Sequence, residues 1–376
     1  MLTLLHNVLD WVPLGLPAFI FVITFVVGIH ELGHFLMARA FGVGVETFSI
    51  GFGKEIFGRT DRRGTRWKVS WLPIGGYVKF LGDEDAASTP DRERLAKMNA
   101  EERSHTLPYK PLIQRALVAA AGPAANFLLA VVVFTLLFAF FGAKALSTYV
   151  GSVAPNSPAA MAGIKPGDKI TAINHRPVRL FAELPGLIDG SRGKPLAVSI
   201  DRNGEAMTLS ITPRVIGTKD IFGTPVKAVA IGVGFGPDTP ENTVYVPIPL
   251  LQAPLAAAGQ TWGIVDMTFT YLWRIVSHHA DASQLGGPIG MAQMAKSAAA
   301  HGPYELAYLL AFISVSIGLI NLFPIPLLDG GHLLYYGCEA VLGRPLGERA
   351  QDLGFRLGLA LVLGLMIFAT WNDLVR

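Results

Sequence analysis

From Trp11 to Ile29 the chain carries no charged side chain, and this run leads directly into His30-Glu31-Leu32-Gly33-His34. An apolar stretch of that length approaches the ~20 residues that cross a bilayer's hydrocarbon core as a helix, a structure that satisfies its own backbone there. On such a helix, histidines four apart project from one face about one turn apart. Both imidazoles then reach one metal ion, and the glutamate beside them reaches water next to it. This is the H-E-x-x-H arrangement of a zinc site with a general base. With 9 histidines in 376 residues, chance supplies the pattern in only about one such chain in a hundred. Ionisable groups at membrane depth cost about 2.5–3.5 kcal/mol each and mark function. The opposing reading is a helix end that surfaces into water with incidental histidines.

Composition supports the membrane reading, since 51% of residues are hydrophobic and only 16% are charged. A net charge of +3 is too small to argue for nucleic acid as a partner. The single cysteine, Cys338, excludes an internal disulfide framework. Met1 to Ile29 holds no Lys or Arg, so a secretory signal peptide fits poorly and the segment is expected to stay in the mature protein.

Four stretches qualify as spans: Trp11 to about Ala38, Ala116 to Ala143, Leu306 to Leu328 and the shorter Leu357 to Trp371, with Arg356 snorkelling at its start. Val244 to Val265 is also uncharged, but its prolines and glutamines favour an interfacial helix. Arg39, Lys110, Arg115, Arg344 and Arg349 flank the spans on one side and place that side in the cytoplasm. The expected order is a first transmembrane helix (1–41), a cytoplasmic-side loop (42–114), a second helix (115–143) and an outer domain (147–237). An interfacial helix and linker (244–300), a third transmembrane segment (305–338) and a fourth helix (353–372) follow.

The first connection is aromatic and β-branched from Thr47 to Phe80, which predicts strands with a hairpin at Gly75-Gly76. These strands either dip into the membrane as a re-entrant element or stay as a surface hairpin. Asp83 to His105 is charged, without apolar period. In the outer segment, Asn156-Ser157-Pro158-Ala159-Ala160 to Pro166-Gly167-Asp168-Lys169-Ile170 looks like the corresponding stretch of PDZ domains, and Asn203-Gly204 predicts a hairpin turn. In that comparison Tyr149-Val150-Gly151-Ser152-Val153 is the candidate carboxylate loop. The domain either captures peptide termini or shields the site.

Two histidines leave a catalytic zinc one protein ligand short. The segment Asn321-Leu322-Phe323-Pro324-Ile325-Pro326-Leu327-Leu328-Asp329-Gly330-Gly331-His332 is the obvious source. Asp329 is preferred because a carboxylate at membrane depth needs a cation, with His332 as the competitor and Glu46 behind both. Asn126, in the second span, either bridges helices or faces the site, where it would touch substrate.

H-E-x-x-H in the first span, Gly122-Pro123-x-x-Asn126 in the second, Asn321-x-x-Pro324-x-Pro326-x-x-Asp329-Gly330-Gly331 in the third and a PDZ-like insert together resemble the site-2 protease family of intramembrane zinc proteases. The likeness is nearest to its bacterial sigma-E-regulating group and covers nearly the whole chain. It implies an α-helical membrane protein with about four transmembrane helices, a membrane-associated β element and one inserted PDZ-like α+β domain. It makes His30, His34 and Asp329 zinc ligands and Glu31 the catalytic base, and puts Asn321, Pro324, Pro326 and the strand around Gly75, Gly76 and Tyr77 at the substrate. It implies single-pass membrane substrates such as anti-sigma factors, already trimmed by an upstream site-1 protease, and leftover signal peptides. The setting it implies is a multi-pass protein of the bacterial inner membrane, the site toward the cytoplasm and the PDZ-like domain in the periplasm. One departure is that about 90 residues here have room for one PDZ-like domain, where well-known members carry two. The alternative is a membrane PDZ scaffold with a structural metal. Glu31 argues against it, because a structural zinc needs no base.

Overall fold

A computed structural model describes residues 2–84, 91–219, 225–236, 239, 242–282 and 285–375. The chain forms two compact units: Met1–Leu137 with Ala253–Phe269 and Ala282–Arg376, and Phe138–Gln252 with Thr270–Asp281.

In the first unit the apolar runs are helices. Among the described residues four are long and apolar enough to cross a membrane: Pro13–Ala40, Leu112–Phe140, Pro303–Asn321 and Arg349–Val375. The helix Ala253–Val276, expected at the interface, is not one of them. The helix holding the first span runs over Leu2–Ala40. It stops where Gly42 adopts φ +66° and the Val43 N–H closes back on the Ala38 carbonyl at 2.9 Å, a glycine-dependent helix end. Its buried Val22 and Val26 pack with Ala295, Leu309, Leu310 and Ile313 of the helices Pro288–His301 and Pro303–Asn321. Toward its C-terminal end, Phe35 and Ala38 pack instead with Phe48, Val78 and Phe80 of the strands.

Those strands, Val45–Thr60 and Arg66–Phe80, depart from the expected hairpin. The chain reverses at Asp61–Thr65, while Gly75 and Gly76 lie inside the second strand. Residues 47–50 pair on one side with 76–79 and on the other with 66–69, so each long strand bends to serve twice. The glycines make the bend possible. Gly51 (φ +86°) and Gly75 (φ +94°) hold conformations that L side chains rarely adopt, and a Cβ on Gly76 would meet the Ser49 carbonyl at 2.5 Å. Sequence punctuation at Gly-Gly thus marks a bulged edge rather than a turn. The sheet is fixed to the first span by Phe35, Phe48 and Trp67, whose ring centroids lie 4.6–5.5 Å apart. Each aromatic pair contributes about 0.5–1.5 kcal/mol beyond its burial. The Arg39 guanidinium sits 4.5 Å from the Phe35 ring centre and donates to Asp61 and Thr65, closing the turn onto the helix end.

The third span ends at Asn321, and a new helix, Asp329–Leu342, begins after the two prolines. Between them Leu327 adopts φ +111°, a strained conformation for a branched residue. The Gly330-Gly331 pair has a steric cause. A Cβ on either would run into the carbonyls of Leu322, Phe323 or Ile325, because the break folds back on the first turn of the new helix. The last span leaves most of its surface exposed, but Gly358 lies directly against the Pro326 carbonyl.

The second unit is α+β. Four strands in the order Arg176–Pro177, Lys169–Ile173, Leu196–Arg202 and Glu205–Ile211 form an antiparallel sheet. Asn203 and Gly204, both at positive φ, make the expected turn. Ile170, Val198, Ile200, Leu196 and Ile231 build its buried core. The paired strands Ala143–Leu146 and Thr243–Val246 extend the unit beyond the expected 147–237. The expected carboxylate loop is different from the expectation: Val150–Val153 is a strand. It pairs on one edge with Val233–Phe235, while the Val150 N–H and carbonyl bond to Asp168 and Gly167 on the other. The Val150 main chain is therefore committed within the domain on both sides.

Candidate metal centre

The histidines project from one face of the first span, as i and i+4 must. His30 Nε2 and His34 Nε2 are 3.2 Å apart. Asp329, first residue of its helix, brings Oδ2 to 3.1 Å from His30 Nε2 and Oδ1 to 3.3 Å from His34 Nε2. The three form the sole described cluster of His, Cys, Asp or Glu with metal-ligand spacing, their ligand atoms lying within 4.8 Å of one another. Two imidazoles and one carboxylate are the donor set of a catalytic zinc with an open fourth position. The buried Asp329 Oδ2 lies beside His30 Nε2 without a hydrogen bond of proper geometry, as expected of an oxygen whose partner is a cation.

The surroundings make this convergence possible. Gly33, inside the motif, allows the second span to approach, because a Cβ there would strike the Ala121 carbonyl. Gly122 leaves space for the rings, as a Cβ would lie 2.8 Å from His30 Cε1 and closer to His34 Nε2. His34 Nδ1 lies 2.8 Å from the Val118 carbonyl. A carbonyl only accepts, so Nδ1 carries the proton and Nε2 keeps its lone pair for the metal. Arg115 holds the ligand helix from below, with Nη1 donating to Glu339 Oε2 at 3.0 Å and its guanidinium 5.0 Å from the Tyr336 ring centre.

Glu31 accepts a hydrogen bond from the Val78 N–H at 3.0 Å. That bond links the expected base to the edge strand containing Gly75, Gly76 and Tyr77. Of the competitors, His332 is outside the cluster, its ring 6.4 Å from Tyr336, and Glu46 pairs with Arg94 and Lys79. Asn126 is fully buried, with Nδ2 3.3 Å from His30 Nδ1. Asn321 ends the third span, and Pro324 and Pro326 lie in the break after it. The roles of Gly33, Val118, Gly122 and the Val78 amide were not visible in the sequence. Gly33 and Gly122 stood inside the quoted motifs, and the other two act through main-chain atoms that leave no side-chain signal.

Residues 18–365 match the family model described as Peptidase family M50. The chain belongs to this family. The resemblance to site-2 proteases read from the motifs is thus membership. A Rhizobium meliloti (strain 1021) relative that carries a zinc-metalloprotease name is 44% identical over 366 residues, covering 97% of this chain and 98% of its own. Metalloprotease MmpA of Caulobacter vibrioides is 40% identical over 384 residues, covering 96% of this chain and 95% of its own. A solved HtrA3 PDZ domain bound to a phage-derived ligand is 28% identical and covers 20% of this chain and 82% of that chain, with a TM-score of 0.17. For this M50 member, the donor set meets the zinc expectation and the four apolar helices meet the membrane one.

Proposed function

We propose that this M50 chain is an intramembrane zinc endopeptidase that cleaves transmembrane segments. The observation that carries the reading is the convergence of His30, His34 and Asp329 at the end of an apolar span, with Glu31 one residue from a ligand. Zinc held there would act as a Lewis acid on a peptide carbonyl and make water easier to deprotonate. Glu31 takes a proton from the attacking water as its oxygen adds to the carbonyl carbon. It then returns that proton to the leaving nitrogen as the C–N bond breaks, so no covalent enzyme intermediate is needed. The Val78 N–H fixes one carboxylate oxygen of Glu31 and leaves the other for water.

A helical substrate hides its scissile carbonyl in its own hydrogen bonds, so it has to unwind. The strand 76–80 supports this step. Residues 76–79 pair with 47–50 on one side, and Val78 turns its N–H to Glu31 on the other. Gly76 shares that outer edge by the two-residue period of a strand, so an unwound segment added there runs past the base. By the family resemblance, Asn321, Pro324 and Pro326 would border the same route. The substrates are single-pass membrane proteins already cut by an upstream site-1 protease, anti-sigma factors and remnant signal peptides among them. The setting is the bacterial inner membrane, with the site toward the cytoplasm and a PDZ-like unit in the periplasm. In that unit a peptide would add to Val233–Phe235, which is paired on one edge only among the described residues.

The test compares the purified wild type with Glu31→Gln, each incubated with a model transmembrane peptide while its zinc is measured. Equal zinc with cleavage by the wild type alone is expected. Normal cleavage by the variant would refute the role of Glu31, and a zinc-free wild type would refute the metal site.

A further inference from the structure

Asn126 contacts a metal ligand without being one. It is fully buried on the second span. The Ser314 hydroxyl donates to its backbone carbonyl at 2.8 Å, and Gly318 packs so closely that an added Cβ would lie 3.1 Å from Asn126 Cβ. The residue therefore has little freedom apart from rotation of its amide. That rotation has two outcomes that differ little in shape and are opposite in chemistry. With Nδ2 facing His30 at 3.3 Å, Nδ1 has to be an acceptor, and a neutral imidazole then carries its proton on Nε2. A proton on Nε2 occupies the atom that faces Asp329 and His34. With Oδ1 facing His30 the roles reverse: Nδ1–H donates, and the Nε2 lone pair is free. With Nδ2 toward His30, Oδ1 has no hydrogen-bond partner. Rotation exchanges which end of the amide lacks a protein partner, so the histidine tautomer decides between the two.

We infer that Asn126 is a positioning residue for zinc, its Oδ1 accepting the Nδ1–H of His30 and holding the tautomer that ligates. It is the counterpart of the Val118 carbonyl at His34, supplied by a side chain one helical turn pair further along the same span. A metal on His30 Nε2 leaves Nδ1 protonated, and an amide Nδ2–H at 3.3 Å would then oppose a second donor. The amide turns instead. This assignment replaces the expectation that Asn126 touches substrate, and it rests on the metal-site reading above.

The experiment measures zinc affinity of the full-length protein in detergent by competition with a chromophoric chelator, together with thermal melting of the zinc-free form. Asn126→Leu keeps comparable bulk and removes the acceptor, and it is expected to weaken zinc binding about 10–100-fold. Asn126→Asp restores an acceptor at the same place and is expected to bind within about threefold of the wild type or tighter. If Asn126→Leu does not fold, Asn126→Ala carries the same prediction of loss. Zinc affinity unchanged in the variant lacking the acceptor would overturn the inference, as would an Asp variant as weak as the Leu variant. A rise in KM for a model peptide with zinc affinity intact would overturn it in favour of substrate contact. Zinc binding by the wild type separates the two levels: without it the metal site itself fails, and with it only the role of Asn126 is at stake.

Discussion

Gly122→Ala isolates the space that the second span leaves for the imidazoles. The added methyl would lie 2.8 Å from His30 Cε1 and nearer to His34 Nε2, against about 3.5–4.0 Å for a comfortable carbon contact, so the rings have to retreat by roughly 0.7 Å or more. In the helix itself alanine gains about 1 kcal/mol over glycine, so the span is not weakened. Without metal the rings swing aside at small cost. With metal they are held at about 2.0–2.1 Å from zinc, and the clash falls on the bound state. Overpacking of this kind costs about 1–3 kcal/mol, which corresponds to about a 5–150-fold loss of zinc affinity. The assay is chelator competition on the purified protein, with Gly28→Ala as the control, because no atom lies within 4 Å of a Cβ at Gly28. Zinc-free melting temperatures near wild type are expected for both. Affinity within about twofold of wild type at Gly122→Ala, or an equal loss at Gly28→Ala, would refute the steric reasoning.

Breaking the half-buried Arg115–Glu339 pair by Arg115→Gln or Glu339→Gln leaves one charge uncompensated, and each is expected to cost about 1–3 kcal/mol in thermal unfolding. The double variant should recover part of that cost, and strictly additive losses would dissociate the pair. In the second unit, the Arg202 side chain bonded to Asp168 at 2.7 Å holds its buried carboxyl below the usual carboxylate value against the opposing effect of burial, helped by the Lys165 N–H. A depressed folded pKa adds stability above the unfolded value of about 3.9 and loses it as pH falls through the folded one. Hydrogen exchange of Lys169–Ile173 should therefore be faster in Asp168→Asn than in wild type at pH 7, with the difference closing below about pH 4. A difference constant from pH 7 to pH 3 would contradict this.

Where the sequence was legible, the signals were local. The apolar runs, the four-residue histidine spacing and the Asn203-Gly204 turn each depend on residues within one or two turns of one another, and each appears in the structure, with the third run ending its helix at Asn321 rather than Leu328. The misreadings were of pairing. Gly75-Gly76 has the composition of a turn, yet its place is inside a strand, because residues 47–50 bond on both sides. Val150–Val153 has the composition of a Gly-containing loop, yet it pairs with Val233–Phe235, some 80 residues on. Partner choice in a sheet is set by long-range closure, and local composition carries little of it.

The sequence by itself determined that two imidazoles and a carboxylate base share one helix face at the end of an uncharged span, because helical periodicity is a property of a few consecutive residues. Tertiary structure decided that Asp329 rather than His332 completes the group, since the folded break from Leu322 to Leu328 aims the first residue of the next helix back at the histidines. It also decided that glycines at 33 and 122 clear the space and that main-chain groups at 78 and 118 orient Glu31 and His34. Convergence of three segments on one point depends on their packing, and no single stretch of the chain encodes it.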